Sequence, residues 1–234
     1  MAQLFITPYE KSGNTITITN PEIIDQCRKV LRLAVGKEIS LQNTNGESST
    51  RHTITITEIK QNIKGTITEE KTTNKSNQTT IMAVAMPNKR DKIELIVQKL
   101  AEIWIDQIIF WPSERSIIKE RNTKKAERVS KIAKEATEQS RNRFMPEIKF
   151  SSTPIISDTA EYVIFDKTEW SEKQFHKNPS APLICGIIGP EWGLSSKDHQ
   201  LRANTKHHVQ ELWSGILRTE TGAIVGWRLI KNMG

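Results

Sequence analysis

The spacing of apolar residues changes once along this chain, near residue 70, and no single regular architecture satisfies both sides of the change. From Phe5 to about Thr68 the pattern has period two. The segments "NTITIT" at 14–19 and "HTITIT" at 52–57 put isoleucines on one face and threonines on the other, as short half-buried strands require. Between them, "VLRLAVGKEISLQNTNG" reads as a strand pair with turns at Gly36 and Asn45-Gly46. Residues 1–72 are therefore expected to form a small β-barrel or sandwich. The polar, aperiodic "EEKTTNKSNQTT" at 69–80 reads as a linker or a long exposed loop.

Residues 73–234 follow another rule. "IMAVAM" is a continuous apolar run, as in a strand covered on both faces. From Asp91, read as an N-cap with Glu94 three residues on, Ile93, Ile96, Val97, Leu100, Ala101 and Trp104 recur at helical spacing. "DQIIFW", "EYVIFD", "PLICGII" and "HHVQEL" read as strands. Lys124 to Ser140 reads as a helix, Ser195 with Asp198 caps another, and a last helix runs from Glu220. Strands alternating with helices predict an α/β domain on a largely parallel sheet. In such sheets ligands sit at the carboxyl ends of strands, and "IIGPEWG" lies at one.

Composition bounds the function. The 234 residues are 36% hydrophobic and 26% charged, as in a soluble globular chain, and no apolar run reaches the ~20 residues of a membrane span. The start "MAQLFITPYEK" lacks the apolar core of a secretory signal, so a cytoplasmic location is expected. Cys27 and Cys185 form no CxxC pair and the five histidines no HExxH, so neither a disulfide frame nor a metal site is expected. The net charge of +7 favours a polyanionic partner. The helix 124–140 carries Ala126, Val129, Ala133, Ala136 and Ser140 on one face and Lys124, Lys125, Arg128, Lys131 and Lys134 on the other. Alone, such a run reads as a solvated face. Between Lys119 and Arg143, however, nine basic residues stand against four acidic ones, and a second, β-rich module makes phosphate contacts the better reading. "GPEWG" has no lysine, so it is not a P-loop, which argues against a nucleotide hydrolase.

"ILRTETG" at 216–222 is a second polar, glycine-containing turn in the same domain. Together with "VLRL" (30–33), "ELIVQKLAEI" (94–103), "SERS" (113–116), "EATEQS" (135–140) and "IIGPEWGLS" (187–195), in that order, it resembles the RsmE family of 16S ribosomal RNA uridine-N3 methyltransferases. The resemblance spans nearly the whole chain. It implies a SPOUT-type α/β domain over 73–234, with a trefoil knot that holds S-adenosylmethionine, preceded by a PUA-like RNA-binding barrel over 1–72. It further implies a homodimer acting on 16S rRNA or the small ribosomal subunit.

On that resemblance Arg218 is the candidate for stabilising the anion that forms when N3 of uridine loses its proton. Glu220 is a base or cofactor contact, with capping of the final helix left open beside it. Ile188, Gly189, Pro190, Gly193, Leu212, Leu217 and Thr219 are expected to line the cofactor, and Glu191, Ser195 and Thr221 to add hydrogen bonds. Arg28, Arg32 and Arg115 are expected RNA contacts, as are Lys124, Lys125, Arg128, Lys131, Arg141 and Arg143 of the basic helix and its extension. The competing function is an RNA-binding protein of the same fold whose cofactor pocket Trp192 obstructs. At 104, 192 and 213 the family pattern has glycine where this chain has tryptophan. Two readings stand beside each other: the chain has simply diverged and carries native indoles there, or, since UGA means glycine in some bacterial codes and tryptophan in others, glycine codons read under the second code appear as Trp104, Trp192 and Trp213.

Overall fold

The computed structural model describes residues 2–116, 123–166, 181–200, 207–212 and 215–232. The chain divides into two compact units, Met1–Lys75 and Ser76–Gly234. In the first, β1 (Gln3–Ile6), β2 (Glu10–Ser12), β3 (Thr15–Ile18), β4 (Glu38–Thr44), β5 (Ser48–Ile59) and β6 (Ile63–Asn74) form one sheet. Its order is β1-β4-β5-β6-β3-β2, with β1 parallel to β4 and the other pairs antiparallel. The period-two isoleucines do what their spacing predicts: Ile16, Ile18, Ile54 and Ile56 are fully buried with Phe5, Ile39 and Leu41.

Two expectations fail here for local reasons. "VLRLAV" is not a strand. The Asn20 side chain accepts a hydrogen bond from the Glu22 amide at 3.0 Å, and Pro21 occupies the first turn. These features start a helix, α1 (Pro21–Asp25), which continues as a π-helical turn over Gln26–Val30. It buries Ile23, Ile24 and Cys27 and leaves Val30 exposed. Nor is 69–80 a loop. β6 runs on to Asn74, paired with the equally long β5, and the first compact unit ends at Lys75. Polar cross-strand contacts replace apolar ones there: the Thr50 and Thr72 hydroxyls lie 3.1 Å apart, and Glu70 accepts from Lys11 at 2.6 Å and meets His52 Nε2 at 2.9 Å.

The second unit alternates as predicted: β7 (Thr79–Ala85), α2 (Arg90–Glu102), β8 (Gln107–Trp111), α3 (Thr123–Ser140), β9 (Glu147–Phe150), β10 (Glu161–Phe165), β11 (Leu183–Ile188), α4 (Ser196–Gln200), β12 (His207–Gln210) and α5 (Thr219–Asn232). Its sheet has the order β12-β10-β11-β7-β8-β9, with every pairing parallel. Alternate residues of β7 serve opposite faces, which is why "IMAVAM" is apolar throughout. Met82 and Val84 pack with α2, α3 and α5 through Ile96, Val97, Val129 and Trp227, and Ile81 and Ala83 with Trp111, Tyr162 and Ile187. Helix α2 starts at Arg90 with Lys89 as its N-cap. Asp91 is thus inside the first turn, and Glu94 bonds Arg90 and Arg128 instead of completing a capping box.

Helix α5 lies very close to the sheet. A Cβ at Gly226 would stand 2.7 Å from the Phe165 ring, and one at Gly186 2.9 Å from Ile230 and Met82, so both approaches exist only because the side chain is missing. Trp227 is fully buried and donates from Nε1 to the Ile103 carbonyl at 3.0 Å, tying α5 to the end of α2. Immediately after that carbonyl the chain turns through Trp104 at φ +69°, with the indole 51% exposed. A left-handed backbone carrying a bulky exposed side chain is a glycine position occupied by something else. Trp227, by contrast, is a core residue with its polar atom satisfied. Trp104→Gly should therefore raise stability by about 1 kcal/mol, read as a melting temperature about 2–4 °C higher, whereas Trp227→Ala should lower stability by about 3–5 kcal/mol.

Candidate functional site

Strands β10, β11 and β12 are parallel neighbours, so their carboxyl ends open on one side. A cavity sits there, lined by Phe165 and Asp166 after β10, Ile188 to Glu191 with Gly193 and Leu194 after β11, and Glu211 and Leu212 after β12. Residues Gly215 to Thr219 and Gly222, at the start of α5, complete it. The two polar turns meet directly: Thr219 Oγ1 donates to the Gly189 carbonyl at 3.4 Å. Within the first, the Gly193 amide donates to the Pro190 carbonyl at 2.9 Å, closing a four-residue turn whose last member has φ +70°. That left-handed torsion strongly favours glycine at the last position.

Ile188, Gly189, Pro190, Glu191, Gly193, Leu212, Leu217, Arg218 and Thr219 thus converge on one cavity. Three further candidates do not line it. Ser195 is buried and exchanges hydrogen bonds with Asp198, amide to Oδ2 at 2.9 Å and Oγ from amide at 3.1 Å, the reciprocal cap of α4. Thr221 is exposed on the first turn of α5. Glu220 is buried beside it, with Oε2 3.6 Å from Lys92 Nζ. Trp192 is equally clear: it is 76% exposed and absent from the cavity wall, so it does not obstruct the cavity, and its φ is not left-handed. Trp213 and Trp170 lie outside the described residues.

The lining residues that sequence reading missed are Phe165, Asp166, Leu194, Glu211, Gly222, Gly215 and Ile216. Asp166 and Glu211 were within reach of the same rule that picked Ile188, since each follows a strand in one parallel sheet. Chemically, apolar walls from Phe165, Ile188, Leu194, Leu212 and Leu217 suit a flat heterocycle. The carboxylates of Asp166, Glu191 and Glu211 against the single guanidinium of Arg218 suit a ligand that carries positive charge and hydroxyls. Lys92 of α2 donates to Glu191 Oε1 at 2.6 Å. Burial pushes the Glu191 carboxyl up, but the Lys92 hydrogen bond and charge outweigh it and hold the group below its usual range.

The expected RNA contacts scatter. Arg28 and Arg32 belong to the first unit, Arg28 reaching the Lys60 carbonyl at 3.4 Å and Arg32 standing at φ +50°. In the second unit Arg115 donates to the Trp192 carbonyl at 2.5 Å, bracing the first turn from the segment after β8. Lys131 is exposed on α3, and Arg141 ends that helix at φ +56° with Arg143 just beyond. The side chains of Lys124 and Lys125, and all of Lys119, lie outside the described residues. Arg128 grips Glu94 of α2 through Nε at 2.5 Å and Nη2 at 3.0 Å, so part of the basic face is used to pack one helix on another.

A model of the RNA methyltransferase domain matches residues 73–231. The chain is 30% identical over 154 residues to Ribosomal RNA small subunit methyltransferase E of Bacillus subtilis, covering 58% of this chain and 59% of that protein. It is 30% identical over 135 residues to the protein of the same name from Aquifex aeolicus, covering 56% and 59%. The matches thus span about three fifths of the length of these curated relatives. A crystal structure of Ribosomal RNA small subunit methyltransferase E from Neisseria gonorrhoeae, bound to S-adenosyl methionine, superposes with a TM-score of 0.84 at 22% identity, covering 100% of this chain and 98% of that one. A Legionella pneumophila protein in complex with bound SAM superposes at 0.81 and 22%, covering 99% and 97%. At that identity the likeness is one of fold.

The Arg128–Glu94 pair gives the α2–α3 contact a pH signature. Hydrogen bonding to Arg128 holds the Glu94 carboxyl below its usual range against the opposing effect of burial. A depressed folded-state value means stability that is present above the ordinary carboxylate range of about 4.3 and lost as pH falls through the lower folded value. Glu94→Gln should therefore melt below the parent at neutral pH, and the difference should shrink as pH falls from about 4.3, followed by thermal denaturation across pH.

Proposed function

The chain belongs to the RNA methyltransferase domain family, and on that premise we propose that it transfers the methyl group of S-adenosylmethionine to N3 of a uridine in 16S ribosomal RNA. The observation that carries this reading is the convergence of two polar turns, 189–194 and 215–219, on a cavity at the carboxyl ends of β10, β11 and β12, with Arg218 among its walls. The relatives' names supply the ribosomal substrate.

The cavity's residues fit the cofactor. Ile188, Leu212 and Leu217 would face the adenine, and the backbone of Gly189 and Thr219 would supply its hydrogen bonds. The carboxylates of Asp166, Glu191 and Glu211 match the ribose hydroxyls and the cationic end. When bound, the cofactor supplies an electrophilic methyl carbon on a sulfonium. The chain's own task is to hold the uridine N3 in line with that carbon. N3 lies on the Watson–Crick edge, so the base must be unpaired or turned out to be reached. Loss of its proton leaves negative charge shared with O2 and O4. Arg218, exposed at the N-terminus of α5, would stabilise that charge, most strongly in the transition state. Glu220 does not line the cavity, which favours its structural role over that of a base.

The same reading makes residues 1–72 a PUA-like RNA-binding barrel, with Arg28 and Arg32 on it, and residues 73–234 a SPOUT methyltransferase domain. In that domain the C-terminal segment is threaded through a knot around the cofactor. It makes the protein a cytoplasmic homodimer acting on the small-subunit RNA, with Lys124, Lys125, Lys131, Arg141 and Arg143 as phosphate contacts. The basic-face contribution is testable: changing Lys124, Lys125 and Lys131 together should weaken RNA binding and flatten its dependence on salt, and an unaltered slope contradicts it.

Two experiments test the chemistry. Mass mapping of rRNA from cells lacking the gene should show one uridine without its N3 methyl group, and an unchanged modification pattern overturns the assignment. Arg218→Ala should abolish transfer while leaving cofactor binding within about tenfold, because a charge aimed at a developing anion acts in the transition state. Collapsed cofactor binding with normal turnover at saturation would instead make Arg218 a pocket residue.

A further inference from the structure

Lys92 stands in the first turn of α2, 19% exposed at its side chain, and faces two carboxylates from two different elements. Its Nζ is 2.6 Å from Glu191 Oε1, in the turn after β11, and 3.6 Å from Glu220 Oε2, in the first turn of α5. The carboxylates are themselves mostly covered, 24% and 11% exposed. Glu220 Oε2 has no hydrogen-bond partner, so at 3.6 Å the Lys92 ammonium compensates its charge without bonding it. Lys92 is not on the cavity wall, whereas Glu191 and the neighbours of Glu220, Thr219 and Gly222, are.

We propose that Lys92 is a positioning residue: it ties the first turn and the N-terminus of α5 into one rigid frame, so that the cavity is assembled before a ligand enters. This rests on the methyltransferase reading of the cavity. The physical requirement is simple. Without the ammonium, two poorly solvated carboxylates are left close together, and an uncompensated buried charge is far more costly than the pair it came from. The cheapest relief is for the two segments to separate, which opens the walls contributed by Pro190, Glu191, Arg218 and Thr219. Among the described residues, the direct bond between the two turns, Thr219 Oγ1 to the Gly189 carbonyl, is long at 3.4 Å, too weak to hold them alone.

A double-mutant cycle on the full-length chain tests the frame. Lys92→Met should lower the melting temperature of the ligand-free protein. Adding Glu191→Gln and Glu220→Gln should recover a large part of that loss, a coupling of about 2–4 °C or more. Lys92→Met should also raise the dissociation constant for S-adenosylmethionine about tenfold, equivalent to about 1.4 kcal/mol. Turnover at saturating cofactor should stay within about threefold, and Lys92→Arg should restore affinity because it keeps the charge. Lys92→Gln takes the same place in the cycle if the methionine variant does not fold. Strictly additive melting shifts overturn the proposal, and so does a collapse of saturated turnover at unchanged cofactor affinity. Failure of the parent chain to bind the cofactor at all would overturn the methyltransferase reading instead, while the ligand-free cycle would still decide the frame.

Discussion

The close approach of α5 to the parallel sheet is the constraint on which the rest of the second unit depends. It exists because Gly226 has no side chain to meet Phe165 and Gly186 none to meet Ile230 and Met82. Trp227 then locks the helix laterally by filling the core and bonding the Ile103 carbonyl. With the body of α5 fixed in this way, its N-terminus has one place to be, above the carboxyl ends of β10 and β11. Arg218 and Thr219 reach the cavity for that reason. A Cβ at Gly226 would stand 2.7 Å from the Phe165 ring, so either the ring or the helix would have to move.

The turn after β11 is held just as firmly, but by polar contacts. Arg115 bonds the Trp192 carbonyl, Asp198 accepts from the amides of both Ser195 and Glu114, and Lys92 holds Glu191. Two segments distant in sequence, one at Lys92 and one at Glu114 and Arg115, therefore converge on the turn and on the helix cap that follows it. Hydrogen bonds to a buried or partly buried carboxylate are costly to leave unmade, so the Lys92–Glu191 and Ser195–Asp198 contacts favour one loop conformation. The turn itself gives Trp192 the position of least consequence. Its indole is directed to solvent, and Gly193 takes the left-handed torsion. Of the three tryptophans at expected glycine positions, only Trp104 shows the backbone of a glycine among the described residues.

Legibility from sequence followed the origin of each signal. Apolar periodicity identified the strands and helices of the second unit because burial on fixed faces leaves a period, as at Ile93, Ile96, Val97 and Leu100 of α2 and along "IMAVAM". The polar end of β6 left none, since threonine hydroxyls and the Lys11–Glu70–His52 contacts do there what apolar pairs do elsewhere. The helix at Pro21 was written in its cap, Asn20 followed by proline, but was hidden under a strand-like "VLRL". Half-exposed β9 at the sheet edge had too little burial to leave a pattern. At the cavity, backbone-lining residues in the two glycine-containing turns were legible because turn chemistry is local. Lys92 was not, because its importance lies in two carboxylates 99 and 128 positions away. Ser195 and Thr221 do not line the cavity: the Ser195 hydroxyl caps α4, and Thr221 is exposed on the first turn of α5.

The cavity has apolar faces, fixed backbone groups, three carboxylates and one guanidinium, and the proposed function makes these the walls of an S-adenosylmethionine site. Isothermal calorimetry of the full-length chain with S-adenosylmethionine, with ATP as the control, tests that claim most directly. The account predicts a saturable exothermic or endothermic titration with the first ligand at one site per chain and no binding of the second. Silence with S-adenosylmethionine, or equal binding of ATP, would contradict it.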